Sequence, residues 1–173
     1  TTPPTITSTT PLCANATNTF TANGLYASSA TYTWSINPTN AGGVLSPNSS
    51  STQIQWGNNA PQTVTVTVVV NVCGQSLPKS TTISLNAAPN PTVTQTGNLC
   101  AGGSSLLTAT GGGTYSWSGP SGFTSVAASP TIFLAGLYQV TVTNANGCTA
   151  SSQKNVQYVG GPTASISTLD NLG

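Results

Sequence analysis

The side chains best suited to covalent or acid–base chemistry are four cysteines, Cys13, Cys73, Cys100 and Cys148, two lysines, Lys79 and Lys154, and one aspartate, Asp170. Histidine, glutamate, arginine and methionine are absent. A Ser-His-Asp set cannot be assembled without histidine, and glycoside hydrolysis needs two carboxylates where the chain has one. Calcium sites want several carboxylates, and cysteines spaced 60 apart (Cys13 to Cys73) and 48 apart (Cys100 to Cys148), with no C-x-x-C, do not follow zinc or redox patterns. The Gly-rich runs at 102–103 and 111–113 lack the lysine and helix of a phosphate loop and read as turns. A Lys-Asn isopeptide bond would want an acidic neighbour in each module. No catalytic residue, metal ligand or cofactor site is expected, and the chain is not expected to be an enzyme.

What remains for the cysteines is oxidation to disulfides. Four cysteines allow three pairings. If each half of the chain keeps its own staple, Cys13 pairs with Cys73 and Cys100 with Cys148. Such bonds place the protein in an oxidising, extracytoplasmic setting, extracellular or at the cell surface. The competing reading is four free buried thiols in a cytosolic protein.

The elements that position these residues are strands. QTVTVTVVVNV (62–72) and LYQVTVTNAN (137–146) alternate apolar residues with threonines, the period-two pattern of antiparallel strands with one wet face. STTISL (80–85), SSLLTAT (104–110), STQIQW (51–56) and NTFTA (18–22) behave alike. No segment carries a helical period over a full window, and Gly, Pro and Asn recur every eight to twelve residues. The expected fold class is all-β.

The pattern repeats. PTIT (4–7) is followed by Cys13, Tyr32-Thr-Trp34, a long strand, Cys73 and Lys79; PTVT (91–94) is followed by Cys100, Tyr115-Ser-Trp117, a strand, Cys148 and Lys154. Each lysine stands six residues after the second cysteine of its set. Two homologous modules are expected, 1–88 and 89–160, with 161–173 as a linker and the opening strand of a further module or a strand exchanged between copies. By analogy, the Cys…Trp…Cys order matches tandem immunoglobulin-like antiparallel β-sandwiches, in which Tyr32, Trp34, Tyr115 and Trp117 fill the cores; the alternative is that these rings stack on sugars. Trp56 has no counterpart in the second module; it is read first as packing, and is otherwise, with Tyr26 and Phe123, the candidate for an exposed surface contact.

Composition bears on partners. Thr, Ser and Asn fill about four positions in ten, and the formal net charge is +1. Two lysines cannot displace the counterions of a nucleic acid or form a basic membrane patch. The longest apolar run is broken by threonines and falls short of a transmembrane helix. Little net charge means little self-repulsion, which favours association with further copies. Asn15-Ala-Thr17 and Asn48-Ser-Ser50 match the N-glycosylation triplet.

The strings CAGGSSLLTATGGGTYSWSGPSGF and AGLYQVTVTNANGCTAS resemble the PKD-type and immunoglobulin-like repeats of very long secreted surface proteins and adhesins of Bacteroidota. YTWSINPTNAGGVLSPNSSSTQIQW, followed by VTVTVVVNVCGQS, is similar to the PKD-like variant in the same proteins. The Trp-Asp-Phe-Gly-Asp-Gly segment of the best-known PKD domains is absent. The resemblance implies a sandwich of about seven strands, export by type IX secretion or an equivalent route, and a role in adhesion, motility or an extracellular fibre. The expected function is a non-enzymatic structural module of an extracellular filament, stalk or surface adhesin, acting through end-to-end module packing and self-association. The alternative is a polysaccharide- or cell-surface-binding module.

Overall fold

The computed structural model describes residues 2–46, 48–58 and 62–160. The expected terminal strand at 161–173, with Asp170, lies outside them. The chain is all-β and forms two compact units, Thr1–Pro89 with Thr143–Ala150, and Asn90–Val142 with Ser151–Gly173.

In the first unit the strands are β1 (Thr5–Ser8), β2 (Thr17–Asn23), β3 (Thr31–Asn37), β4 (Gly42–Val44), β5 (Ser51–Trp56), β6 (Gln62–Val72) and β7 (Gln75–Leu85). They form two antiparallel sheets, ordered β1-β2-β5-β4 and β3-β6-β7. With strands lettered in chain order this is ABED against CFG, the layout of a seven-stranded immunoglobulin sandwich. The core follows from alternation. Val64, Val66, Val68 and Val70 of β6 are fully buried, as are Phe20 of β2 and Ile54 of β5. The other row of β6 faces outward, where Thr67 Oγ1 lies 2.8 Å from Ser80 Oγ of β7.

The second sandwich is built from β8 (Val93–Thr96), β9 (Ser105–Ala109), β10 (Thr114–Ser118), β11 (Thr124–Ser125), β12 (Thr131–Ile132), β13 (Gly136–Thr143) and β14 (Thr149–Val156), the facing ends of β13 and β14 being grouped with the first unit. Its sheets run β12-β9-β8 and β11-β10-β13-β14. The seven-strand plan is the same, with the fourth strand moved to the other sheet. Leu107, Ile132, Val140 and Val142 are fully buried around Trp117. Thr141 Oγ1 and Ser151 Oγ meet at 2.9 Å on the outside.

Two features depart from expectation. Strand β7 begins at Gln75, five residues before STTISL suggests. Val72-Cys73-Gly74-Gln75 is a two-residue hairpin with both central residues at positive φ (49° and 75°), and β7 is the sheet edge, where Pro78 costs no ladder bond. The modules are also not contiguous in sequence, because Thr143–Ala150, expected in the second, belongs to the first compact unit. Asn144 Nδ2 donates to Ala87 O at 2.9 Å there, and Cys148 is bonded to Cys13.

Candidate functional site

The cysteines do not pair as the repeat suggests. The bond is Cys13–Cys148, with Cα atoms 5.7 Å apart, and Cys73 and Cys100 are free and exposed. Strand geometry explains the outcome. Cys13 bridges Asn86, just past the end of β7, whereas Cys73 sits at the opposite end of that hairpin. An eleven-residue strand at ~3.4 Å per residue separates them by roughly 35 Å, and a disulfide needs Cα atoms within about 7 Å. Cys100 follows Leu99, which bridges Tyr158 beyond the end of β14; Cys148 precedes the start of that strand. Each expected pair is therefore split between opposite ends of a strand.

The bonded pair is set in a built environment. Asn144 Oδ1 accepts from Asn146 N and Cys148 N, both at 3.0 Å, and this shapes the tip that carries Cys148. Ala14 N donates to Asn86 O, and Asn86 N to Leu12 O, both at 2.9 Å. A cavity of about 380 Å³ opens beside the bond, lined by Thr9, Pro11, Asn15, Thr17, Asn18 and Gly147 among others. Its lining is hydroxyl, amide and backbone, with no ionisable group. In the chain-entropy description a bond closing 135 positions stabilises by about 5 kcal/mol.

Trp34 is 3 % and Trp117 2 % exposed, each on the third strand of its unit. Their indole N–H groups donate to Ser49 O (2.7 Å) and Ala127 O (2.9 Å). Tyr32 and Tyr115 are half-buried against the same cores.

The exposed-contact reading of Trp56 is overturned, since it is 2 % exposed. It lies in the same inward row as Thr52 and Ile54, its ring meets Phe20 edge-on at 5.9 Å, and its N–H donates to Asn18 Oδ1 at 2.9 Å. Tyr26 is half-buried against the first core and donates to Thr2 O at 2.9 Å; burial, then the nearby Tyr32, pushes its hydroxyl up from the ordinary tyrosine range. Phe123 is half-buried, with its ring 5.2 Å from that of Tyr138.

Two residues not singled out in the sequence matter more. Tyr138, fully buried at the start of β13, donates to Leu134 O at 2.8 Å and so ties the strand to the turn before it, the corner arrangement of immunoglobulin sandwiches. Burial raises its pKa, the bond to Leu134 opposes this and Tyr158 adds to it. Phe133 is 64 % exposed beside a notch of about 220 Å³ formed with Pro120, Phe123, Leu134 and Tyr138. Ile132-Phe133-Leu134 puts three apolar residues in succession at the end of a two-residue strand, so one of them must face outward.

Among the described residues no three His, Cys, Asp or Glu side chains cluster, and no helix is long and apolar enough to cross a membrane. Lys79 is exposed on β7 and Lys154 half-buried on β14.

No family profile matches the sequence, and no curated protein matches it. Among solved structures, the amphioxus IgVJ-C2 molecule is similar at 12% identity and a TM-score of 0.36, over 83% of this chain and 97% of its own. The C-terminal 282-residue fragment of intimin, solved with the intimin-binding domain of its translocated receptor, aligns at 13% identity and a TM-score of 0.45, over 88% of this chain and 63% of that one. A chimeric titin Z1Z2 aligns at 14% identity and a TM-score of 0.33, over 93% and 100%. The immunoglobulin-like assignment of this chain rests on its own strand order.

Proposed function

We propose that this chain is a non-enzymatic structural module of an extracellular filament, stalk or surface adhesin whose partners are further copies of itself or neighbouring immunoglobulin-like modules. The observation that carries the reading is the character of the outward strand faces. They are neutral hydroxyl ladders, Thr67 with Ser80 and Thr141 with Ser151, on a chain of net charge +1. Such faces are hydrated without repelling their like. The Cys13–Cys148 bond fits an oxidising compartment outside the cell. The resemblance of CAGGSSLLTATGGGTYSWSGPSGF and AGLYQVTVTNANGCTAS to secreted repeats of Bacteroidota supports export by type IX secretion or an equivalent route.

Light scattering on the size-separated, non-reduced chain, with electron microscopy of the leading fraction, tests the proposal. Regular polymers are expected; the mass of one chain at every concentration overturns self-association. The exposed Phe133 beside its notch favours a second reading, a contact for polysaccharide. Retention on immobilised glycans that disappears in Phe133→Ala would support it.

A further inference from the structure

Each half of the chain carries a cysteine at two kinds of place. One kind opens a turn ahead of the second strand of its sandwich: Cys13-Ala14-Asn15-Ala16 and Cys100-Ala101-Gly102-Gly103. The fourth N–H of each turn donates to the cysteine carbonyl, at 3.3 Å and 2.9 Å, and the third residue of each has positive φ, 60° and 78°. In each, the leucine carbonyl just before the cysteine accepts from the chain leaving the last strand, Leu12 O from Asn86 N (2.9 Å) and Leu99 O from Val159 N (2.8 Å). Cys13 and Cys100 thus occupy equivalent positions. The other kind of place is the tip of the last hairpin: Cys73 between β6 and β7, Cys148 between β13 and β14.

One turn cysteine and one tip cysteine, Cys13 and Cys148, are bonded. The other turn cysteine and the other tip cysteine, Cys100 and Cys73, are free and exposed. We propose that Cys73 of one chain and Cys100 of a second copy form the same turn-to-tip disulfide, so that copies join head to tail through a covalent bond. The inference rests on the reading of the chain as a self-associating structural element, and it names the residues of the contact.

Three observations converge on a second copy as the partner. The bonded pair shows that the β13–β14 tip fits the first cysteine turn, and the Cys100 turn repeats that turn's backbone bonds and φ signs. Beside the free turn, Tyr158 and Val159 are each 47 % exposed, and Tyr158 donates to O of the exposed Phe133 at 3.4 Å, which leaves apolar surface for a docking tip to cover. Cys73 also stands at a left-handed turn position that favours Asn, Asp or Gly, a placement with no local gain for a cysteine. Because each chain offers one tip and one turn, the contact is heterologous and propagates from copy to copy, as an open linear polymer wherever the rotation between copies does not close a ring.

The chemistry is a two-electron oxidation. The two thiols lose two protons and two electrons as the S–S bond forms. A small-molecule disulfide accepts them, oxidised glutathione in the test, and leaves as two glutathione thiols by way of a mixed disulfide on one cysteine.

The test treats the full chain, its Cys13–Cys148 bond intact, with oxidised glutathione and reads the products on non-reducing gels and by peptide mass spectrometry. The wild type is expected to give a ladder that collapses to one chain on reduction. Cys73→Ser and Cys100→Ser, each at an exposed site, are expected to lose every species above one chain. An equimolar mixture of the two is expected to stop at two chains, joined by a Cys73–Cys100 peptide. Dimers of either single variant as abundant as those of the mixture would overturn the inference, since the bond would then be indiscriminate. A wild type that stays at one-chain mass, whether capped by glutathione or bridged within the chain, would overturn it too. If the Cys73→Ser/Cys100→Ser double variant forms filaments by electron microscopy and the wild type shows no cross-link, the inference fails and the self-association reading stands; if nothing assembles in either state, both fail.

Discussion

Trp34 and Trp117 occupy the third strand of their respective sandwiches, and each donates to a backbone carbonyl in the segment beyond its own strand. Away from that shared ring the two units diverge. The first adds Trp56 from β5, stacked edge-on against Phe20 of the neighbouring strand and fastened to Asn18, whose amide also donates to Thr9 O and Pro11 O at 3.0 Å. The second, whose β12 is only two residues long, adds Tyr138 from the facing sheet, edge-on against Phe123 and fastened to Leu134. One seven-strand plan thus tolerates either sheet as the source of its second large ring. What the plan requires in both is the tryptophan on the third strand; how the rest of the core is closed is a local solution.

The largest effect expected on this comparison is loss of the bond that only the first unit contains. Cys148→Ser should destabilise that unit by about 4 to 5 kcal/mol in urea titrations followed by tryptophan fluorescence. Cys73→Ser should leave it unchanged, whereas a Cys13–Cys73 bond would reverse the two outcomes in that unit. Next come Trp34→Ala and Trp117→Ala, each expected to cost about 3 to 5 kcal/mol in its own unit; a much smaller loss in either would show that the shared tryptophan is not what the plan requires.

Variants at the divergent rings should act on one unit alone. Trp56→Phe leaves the buried Asn18 Oδ1 without its donor and should cost the first unit about 1 to 3 kcal/mol. Gly119→Ala places a methyl group 2.5 Å from Cδ1 of the buried Tyr138 ring, and overpacking of this kind should cost the second unit about 1 to 3 kcal/mol. Tyr138→Phe should cost about 1 kcal/mol through the lost bond to Leu134 O. It should also flatten an alkaline dependence. The folded state holds the Tyr138 proton more tightly than the unfolded chain, whose tyrosine titrates near pH ~10. The contribution of Tyr138 to the stability of the second unit is therefore fully present below about pH 10 and is lost as pH rises above it, so the alkaline decline in the wild type should be smaller in the variant.

Much of this was written in period two. The rows 64, 66, 68, 70 of β6 and 138, 140, 142 of β13 are apolar because they face a core, and the threonines between them face water. The same alternation carried the correct answer for Trp56, which falls in the inward row of STQIQW with Ile54; lack of a counterpart in the other module says nothing about which way a residue faces. The cysteine pairing was hidden for a different reason. A repeat shows which landmarks each module contains and is silent on which end of the sandwich each occupies. Part of that was legible, since Cys73-Gly74 between apolar strands reads as a two-residue hairpin, a tip far from Cys13. That Thr143–Ala150 belongs with the first unit depends on packing between residues far apart in sequence, which no local pattern encodes.

The Cys13–Cys148 bond also determines how the chain bears load. A pull on the N-terminal segment reaches Cys13, crosses the sulfur bridge to Cys148 and leaves along β14. The chain between the two sulfurs, a sequence separation of 135, forms a closed loop bypassed by that path. At roughly 3.5 Å per residue it stores about 470 Å of contour length that stretching cannot release while the bond is oxidised. Reduction would turn a nearly inextensible link into a long, yielding one.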